Sequence, residues 1–181
     1  LAVEARETTG GRFDATVHDA VVAAGYDRTF DAVRSGAFDD PRPLQPRCGG
    51  HVVVDGSTIE LQPGFRLDLG GIGKGYAADR VAELLAVVGP CLVNAGGDIA
   101  IRGGSWPVGV TEEVTLELTE GGLATSGRDR RRWSHNGEER HHLIDPATGR
   151  PAAGAPVRVT VVAGSAAAAE VAAKVAFLGG E

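Results

Sequence analysis

Residues 67–79, LDLGGIGKGYAAD, place Lys74 among four glycines where an apolar stretch gives way to a helical pattern. Glycines at 70, 71, 73 and 75 remove side chains, so that backbone N–H groups and a helix N-terminus can face an anion, and Lys74 adds a point charge. Residues 73–78 also fit G-x-G-x-x-A, with Asp98 near the distance at which a dinucleotide fold places its ribose-binding carboxylate. The context argues against that fold. Asp68 interrupts the preceding strand, and the chain beyond the helix is strand-rich. A P-loop is excluded because Gly75, not Ser or Thr, follows the lysine.

Three further segments could carry chemistry. In LVNAGGDIAIRG, residues 92–103, a strand ending at Asn94, Gly96, Gly97 and Asp98 reads as a bulge or sharp reversal. Asp98 there could cap local N–H groups or bind a ligand hydroxyl. In LATSGRDRRRW, residues 123–133, Thr125 and Ser126 offer hydroxyls on a turn. Arg128, Arg130, Arg131 and Arg132 follow, either as phosphate-suited charge or as a solvated hairpin tip. In HHLIDPATGRP, residues 141–151, alternation sets His142 and Ile144 on one strand face ahead of a turn that Asp145 and Thr148 can bond.

The elements that must position these residues follow from periodicity. Val17, Ala20, Val21 and Ala24 predict a helix within 13–25 that ends at Gly25, and Phe30 to Gly50 reads as an irregular connection. A hairpin is predicted around Asp55-Gly56, then a strand over Phe65–Leu69. A helix is predicted over Lys74–Val88 with Ala77, Val81, Leu84, Leu85 and Val88 inward, and a strand over Cys91–Ala95. Short strands follow at 99–102, 107–110, 114–118, 123–126, 141–144 and 157–162, and a last helix spans 165–178. A few helices among mostly antiparallel strands give an α+β fold in one domain over 1–181, with room for two similar sub-lobes.

Composition sets limits. A chain of 181 residues, 43% hydrophobic, is long enough to bury a sizeable core. A net charge of −6 opposes nonspecific nucleic-acid binding, so any anion site must be local. No apolar run approaches the roughly 20 residues that cross a bilayer, and no signal-peptide pattern opens the chain, which as written reads as soluble. With Leu1 first and no Met, it reads as a processed form or a fragment, and both cytoplasmic and exported or membrane-associated settings stay open. Cys48 and Cys91 lack metal-type spacing and read as small buried apolar residues. Of the 18 basic residues only Lys74 and Lys174 are lysine, which suggests that each serves as a compact charge.

In order and spacing, these four segments resemble the ApbE family of flavin transferases. The family's patterns DLGGIAKGYAVD, LVNxGGD, ATSGxYR and SHIIDPxTGxP stand against LDLGGIGKGYAAD, LVNAGGD, ATSGRDR and HHLIDPATGRP here. The opening GGRFDATVHDAVVAAGYDR resembles the family's G-x-F-D-x-T-V segment, so the likeness runs from about residue 9 to the end. It implies an enzyme that takes FAD, transfers FMN to a Thr hydroxyl of a target flavoprotein and releases AMP with Mg²⁺ assistance.

By position the resemblance assigns Gly25, Tyr26, Gly70, Gly73, Lys74, Tyr76, Thr125, Ser126, His142 and Ile144 to flavin nucleotide binding. Lys74 and His142 take the catalytic roles, Lys74 steadying the pyrophosphate and His142 handling a proton. Gly73, through its carbonyl, and Glu170 fall at metal-ligand positions. Rival functions are a non-catalytic FAD or nucleotide binder, an FAD pyrophosphatase giving FMN and AMP, and a dinucleotide-dependent oxidoreductase.

Three departures from the pattern matter. The family's Mg²⁺-binding Asp and Thr near the start of the last helix are Glu170 and Lys174 here, and an ammonium is not a ligand. They form either an ordinary i,i+4 pair or a site in which Lys174 stands in for the cation. Asp129 replaces the Tyr of ATSGxYR. Family members also carry a lobe ahead of F-D-x-T-V, so the expectation is a chain lacking that N-terminal portion.

Overall fold

A computed structural model describes residues 1–35, 45–135, 137–154 and 156–179. They form two compact units: the first comprises 1–69, 127–157 and the last residues from 178, and the second 70–126 and 158–177. The fold is α+β with mostly antiparallel strands, as the sequence predicts; the β-pair over 132–141 is not anticipated there.

In the first unit, helices α1 (Ala2–Thr8), α2 (His18–Ala23) and α3 (Phe30–Arg34) accompany the hairpin β1 (Val52–Asp55)–β2 (Thr58–Leu61). The predicted first helix is shorter than its periodicity because Asp14 ties down its entry. The Asp14 carboxylate accepts from the Thr16 N–H and hydroxyl, both at 2.8 Å, and from Gly49 N–H at 2.6 Å. An Asp that offers its own backbone a partner two residues on competes with helix formation there.

Part of the expected irregular connection is helical, as α3, and residues 36–44 lie outside the described residues. The β1–β2 turn falls one residue later than expected, because Asp55 pairs with Thr58 and leaves Gly56-Ser57 as the loop. Phe65–Leu69 belongs to no ladder among the described residues; Asp68 N–H instead donates to Ala15 O at 2.7 Å. Cys48 and Cys91 are both half-buried free thiols. Burial, with Asp14, Asp145 and Asp19 nearby, pushes the Cys48 thiol up to about 11.

The second unit is a four-stranded sheet with helices on one face. Helix α4 (Gly73–Ala86) leads into β3 (Cys91–Ala95) and β4 (Asp98–Arg102), joined by the two-residue reversal Gly96-Gly97. The hairpin β5 (Trp106–Gly109)–β6 (Thr115–Leu118) precedes β7 (Gly121–Gly127), and the sheet order places β7 beside β4. The first unit's β8 (Arg132–His135), β9 (Glu138–His141), β10 (Ile144–Asp145) and β11 (Arg150–Pro151) come next in the chain, as two antiparallel pairs. Strand β12 (Arg158–Ala163) then returns to the outer edge of β7, and α5 (Ala166–Gly179) closes the second unit up to Phe177.

Alternation along β4 decides what covers each face. Ala100 packs with Ala78, Ala82 and Ala166 of the helices, whereas Ile99 and Ile101 pack with Leu123, Val108 and the β5–β6 hairpin. The helix side is therefore built of small residues, and α4 lies close to the strands. Its buried stripe is Gly75, Ala78, Asp79 and Ala82. The predicted inward face is wrong: Val81, Leu84, Leu85 and Val88 are exposed, and the side that meets Cys91, Val93, Ala95 and Ala100 of the sheet carries Ala78 and Ala82, whose small size allows the close approach.

The two helices of this unit cap one another. Asp79 of α4 accepts from the first two amides of α5, Ala166 N at 3.0 Å and Ala167 N at 2.9 Å, while Ser165 Oγ takes the third, Ala168 N. In return Glu170 of α5 accepts Gly75 N–H at 2.9 Å, in the first turn of α4, where Ile72 provides no side-chain cap. The exchange requires close approach at Gly75. A Cβ there would lie 2.6 Å from Ala166 O and 2.8 Å from Ala167 Cα, backbone atoms fixed by the α5 N-terminus.

Gly75→Ala is therefore expected to lower the unfolding free energy by about 2 kcal/mol or more. Gly73→Ala, whose added Cβ meets nothing within 4 Å, should leave it unchanged or slightly raised. Urea denaturation of both variants checks the contrast; equal midpoints would rule out a close-approach constraint at Gly75.

Candidate functional site

The glycine-rich turn delivers Lys74 to the head of α4, in its first turn. Its ammonium pairs with Asp98 Oδ2 and stands 3.5 Å from Glu170 Oε1. Asp98 occupies the first position of β4, directly after the Gly96-Gly97 reversal, and Asn94 Oδ1 fixes that reversal by accepting Gly97 N–H at 2.8 Å. The observed partner of Asp98 is Lys74, rather than the local backbone N–H groups that the sequence offered as one reading.

Burial of the three side chains is uneven. The carboxylates of Asp98 and Glu170 are only 2% and 6% exposed, whereas the Lys74 side chain is 42% exposed. Burial raises the Glu170 carboxyl above the usual range and Asp98 adds to this, while Gly75 N–H, Lys74 and Lys174 pull it back. Lys174, one turn beyond Glu170 on α5, thus brings a second positive charge to the same carboxylate. The accessible face of this cluster is its cationic side, beside the N-terminal end of α4.

The metal expectation meets this arrangement directly. Mg²⁺ takes oxygen ligands in near-octahedral geometry. Here Glu170 spends one oxygen on Gly75 N–H and faces Lys74 with the other, and position 174 presents an ammonium. Among the described residues no group of three or more His, Cys, Asp or Glu side chains could hold a metal ion. The donor set does not fit Mg²⁺.

The other residues of this unit assigned by resemblance fall as follows. Gly70 is exposed in the turn before α4, and Gly73 is the first helical residue. Tyr76 is half-exposed with the Arg80 guanidinium 5.9 Å from its ring centre. On β7, Thr125 is exposed and shares a hydrogen bond with Thr160 at 2.9 Å, while Ser126 is buried.

Gly25, Tyr26, His142 and Ile144 belong to the first unit. Gly25 ends α2 with φ +95°, and a Cβ on it would lie 2.8 Å from His135 Nδ1 and 3.1 Å from Trp133 Nε1. Trp133 Nε1 donates to Ala24 O at 2.9 Å, and Tyr26 stacks on the Trp133 ring at 5.4 Å. Ile144 is buried among Ala24, Val33 and Trp133, beneath that aromatic pair. The expected strand over His141–Ile144 is interrupted: β9 stops at His141, β10 starts at Ile144, and half-buried His142 sits at the bend.

The cause of the bend is His141, which strand alternation does not single out. Its Nε2 lies 3.1 Å from Ala152 O, and Leu143 N–H reaches its Nδ1 at 3.3 Å. A neutral ring with the proton on Nε2 satisfies both partners, and a protonated ring has no acceptor for Leu143. Burial, reinforced by Arg128, accordingly holds the His141 pKa below its ordinary value, with Ala152 and Glu139 acting the other way. Nothing in the doublet His141-His142 marks which ring is buried. Asp79 escapes the sequence patterns for a similar reason, since its partners lie 87 and 88 residues away.

A lowered folded-state pKa means that the unfolded chain binds more protons, so this contribution is intact above about pH 6.5 and is lost as pH falls below it. The urea midpoint is expected to drop between pH 7 and pH 5, and His141→Gln should flatten that drop. An unchanged slope would show that the ring is not held neutral.

The model of the ApbE family matches residues 1–181. The FAD:protein FMN transferase of Escherichia coli K12 is 33% identical over 179 residues, covering 87% of this chain and 51% of that protein. The Haemophilus influenzae protein of the same name is 30% identical, covering 90% of this chain and 53% of its own length. The chain thus spans about half the length of these curated relatives. Among solved structures, the Thermotoga maritima ApbE protein superposes with a TM-score of 0.76 at 26% identity, covering 99% of this chain and 64% of that one. The Vibrio cholerae flavin transferase ApbE gives 0.71 at 26%, covering 99% and 62%. A family match over the whole chain, on a fold shared with these structures, places the chain in the ApbE family.

Proposed function

We propose that this chain carries the nucleotide-handling part of an FAD:protein FMN transferase, moving FMN from FAD to a Thr hydroxyl of an acceptor flavoprotein. The observation that supports it most is the Lys74–Asp98–Glu170 cluster, whose exposed side is cationic and lies at a helix N-terminus, in a chain of net charge −6. Such a place receives a diphosphate. FAD and a Thr-bearing flavoprotein are the proposed partners, in line with the names of the relatives.

In the proposed reaction the acceptor Thr Oγ forms a bond to the phosphorus attached to riboflavin. The bond from that phosphorus to the bridging oxygen breaks, and AMP leaves with that oxygen. Phosphoryl transfer of this kind is governed by positioning and by neutralisation of charge. Lys74 is suited to neutralisation, because its point charge is held by two buried carboxylates but remains accessible. Gly70, Gly73 and Tyr76 flank the same turn, and Thr125 and Ser126 offer hydroxyls on β7. Gly25, Tyr26, His142 and Ile144 are proposed for the flavin on the resemblance, His142 also for the Thr proton. Ile144 would act through packing, given its burial.

Incubating the full-length protein with FAD and an acceptor domain tests this reading. AMP together with a covalently fluorescent acceptor is the expected result. FAD retained intact would make the protein a binder, AMP and free FMN without acceptor a pyrophosphatase, and a change in nicotinamide absorbance an oxidoreductase. Lys74→Met should lower the transfer rate by about 100- to 1,000-fold, a range typical of removing one charge-stabilising group. Thermal melting of the variant separates lost chemistry from lost folding, because the substitution leaves Asp98 and Glu170 buried without their cation.

A further inference from the structure

We infer that the acidic pair Asp98 and Glu170 binds no divalent cation in this protein and that Lys74 and Lys174 supply, in its place, the positive charge that a bound diphosphate meets. The identity of the diphosphate as part of FAD rests on the function proposed above; the exclusion of the metal does not.

The donor geometry comes first. Glu170 Oε2 accepts Gly75 N–H at 2.9 Å, a bond that caps α4, and Oε1 faces Lys74 Nζ at 3.5 Å. Asp98 Oδ2 pairs with the same ammonium. A cation on either carboxylate would have to displace Lys74, and a cation drawing Glu170 toward itself would strip the cap from α4. Four residues after Glu170, where a metal site needs another oxygen, Lys174 offers only protons.

Charge balance gives the same result. Counted as formal charges, the two buried carboxylates carry −2 and the two lysines, Lys74 in the ion pairs above and Lys174 one turn along α5 from Glu170, carry +2. A divalent ion added here would raise the cluster to +2 with both ammonium groups in place, and no further acidic group joins the pair among the described residues. A diphosphate, in contrast, meets a neutral cluster whose exposed member is the cationic Lys74, in the first turn of α4.

Composition marks the same spot independently. The chain uses arginine everywhere except positions 74 and 174; Lys74 stands 3.5 Å from Glu170 Oε1, and Lys174 follows Glu170 by one turn on α5. A compact ammonium fits between two carboxylate oxygens or against a phosphate as a point charge, as a metal ion does, whereas a planar guanidinium demands a fork of acceptors.

The test uses Mn²⁺ as a spectroscopic probe and FAD as ligand, both with the full-length protein. Titration followed by the electron paramagnetic resonance of free Mn²⁺ is expected to show no site filled below about 1 mM, the upper end of protein Mg²⁺ and Ca²⁺ sites. One Mn²⁺ per chain, lost in Glu170→Gln, would overturn the inference. FAD affinity measured by calorimetry is expected to agree within twofold in EDTA and in Mg²⁺, and to fall at least tenfold in EDTA on Lys174→Ala. A tenfold gain from Mg²⁺, or wild-type affinity in Lys174→Ala, would likewise overturn it. Alanine suits the interior of the alanine-rich α5, and the Mn²⁺ titration is decisive on the unmodified protein. FAD that binds in neither buffer would remove the flavin reading and the role given to the lysines, while the Mn²⁺ result would still decide the metal.

Discussion

The second unit depends on two helices capping each other at a distance set by one missing side chain. Asp79 serves the N-terminus of α5 and Glu170 serves that of α4, and both carboxylates reach their amides only because Gly75 lets Ala166 and Ala167 approach. Each bond is charge-assisted and buried, of the kind whose loss costs more than its formation gains. Arg102 joins the same arrangement, its guanidinium 3.3 Å from Asp79 Oδ1. Cap and catalytic candidate are therefore not separable features: Glu170, which the resemblance alone sets at a metal position, is a structural cap, and any chemistry at Lys74 inherits its geometry from the helix pair.

That coupling explains the polarity of the site. Burying Asp98 and Glu170 would be costly if they were alone, because a charge removed from water needs a partner and hydrogen bonds. Lys74 answers for both, and its side chain stays 42% exposed while the carboxylates are buried. A chain of net charge −6 thus presents a local cationic point without a basic surface. A local anion site in an acidic chain and an ammonium set between two hidden carboxylates are two sides of one electrostatic constraint.

How much of this was legible depended on the range of the interaction. β3, the helix α5 and the reversal before Asp98 follow from near-neighbour rules, and the sequence places them within a residue or two. Gly25 at the end of α2 is equally local. The inward face of α4 was misread because hydrophobicity ranks leucine above alanine, while the side that meets the sheet carries Ala78 and Ala82, whose small size allows the close approach. The strand over Phe65–Leu69 has the right residue types but no ladder partner among the described residues, and pairing is a tertiary fact. The His141 ring and the Asp79 cap depend on residues 11 and 87 positions away and leave no local trace. Of the site, the residue types were visible early, whereas their partnerships were not.

Lysine usage joins these scales. In a chain that otherwise chooses arginine, the two exceptions could have been unrelated surface positions, since they are 100 residues apart in sequence. Folding sets Lys74 of α4 3.5 Å from Glu170, which Lys174 follows by one turn on α5. A guanidinium at position 74 would reach the carboxylates through a planar fork and enlarge a spot already fixed by the Gly75 contact. An ammonium needs only a point. The preference for lysine is therefore a geometric consequence of how closely α4 and α5 pack, and the same closeness leaves the residue at position 170 too occupied to act as an open metal ligand.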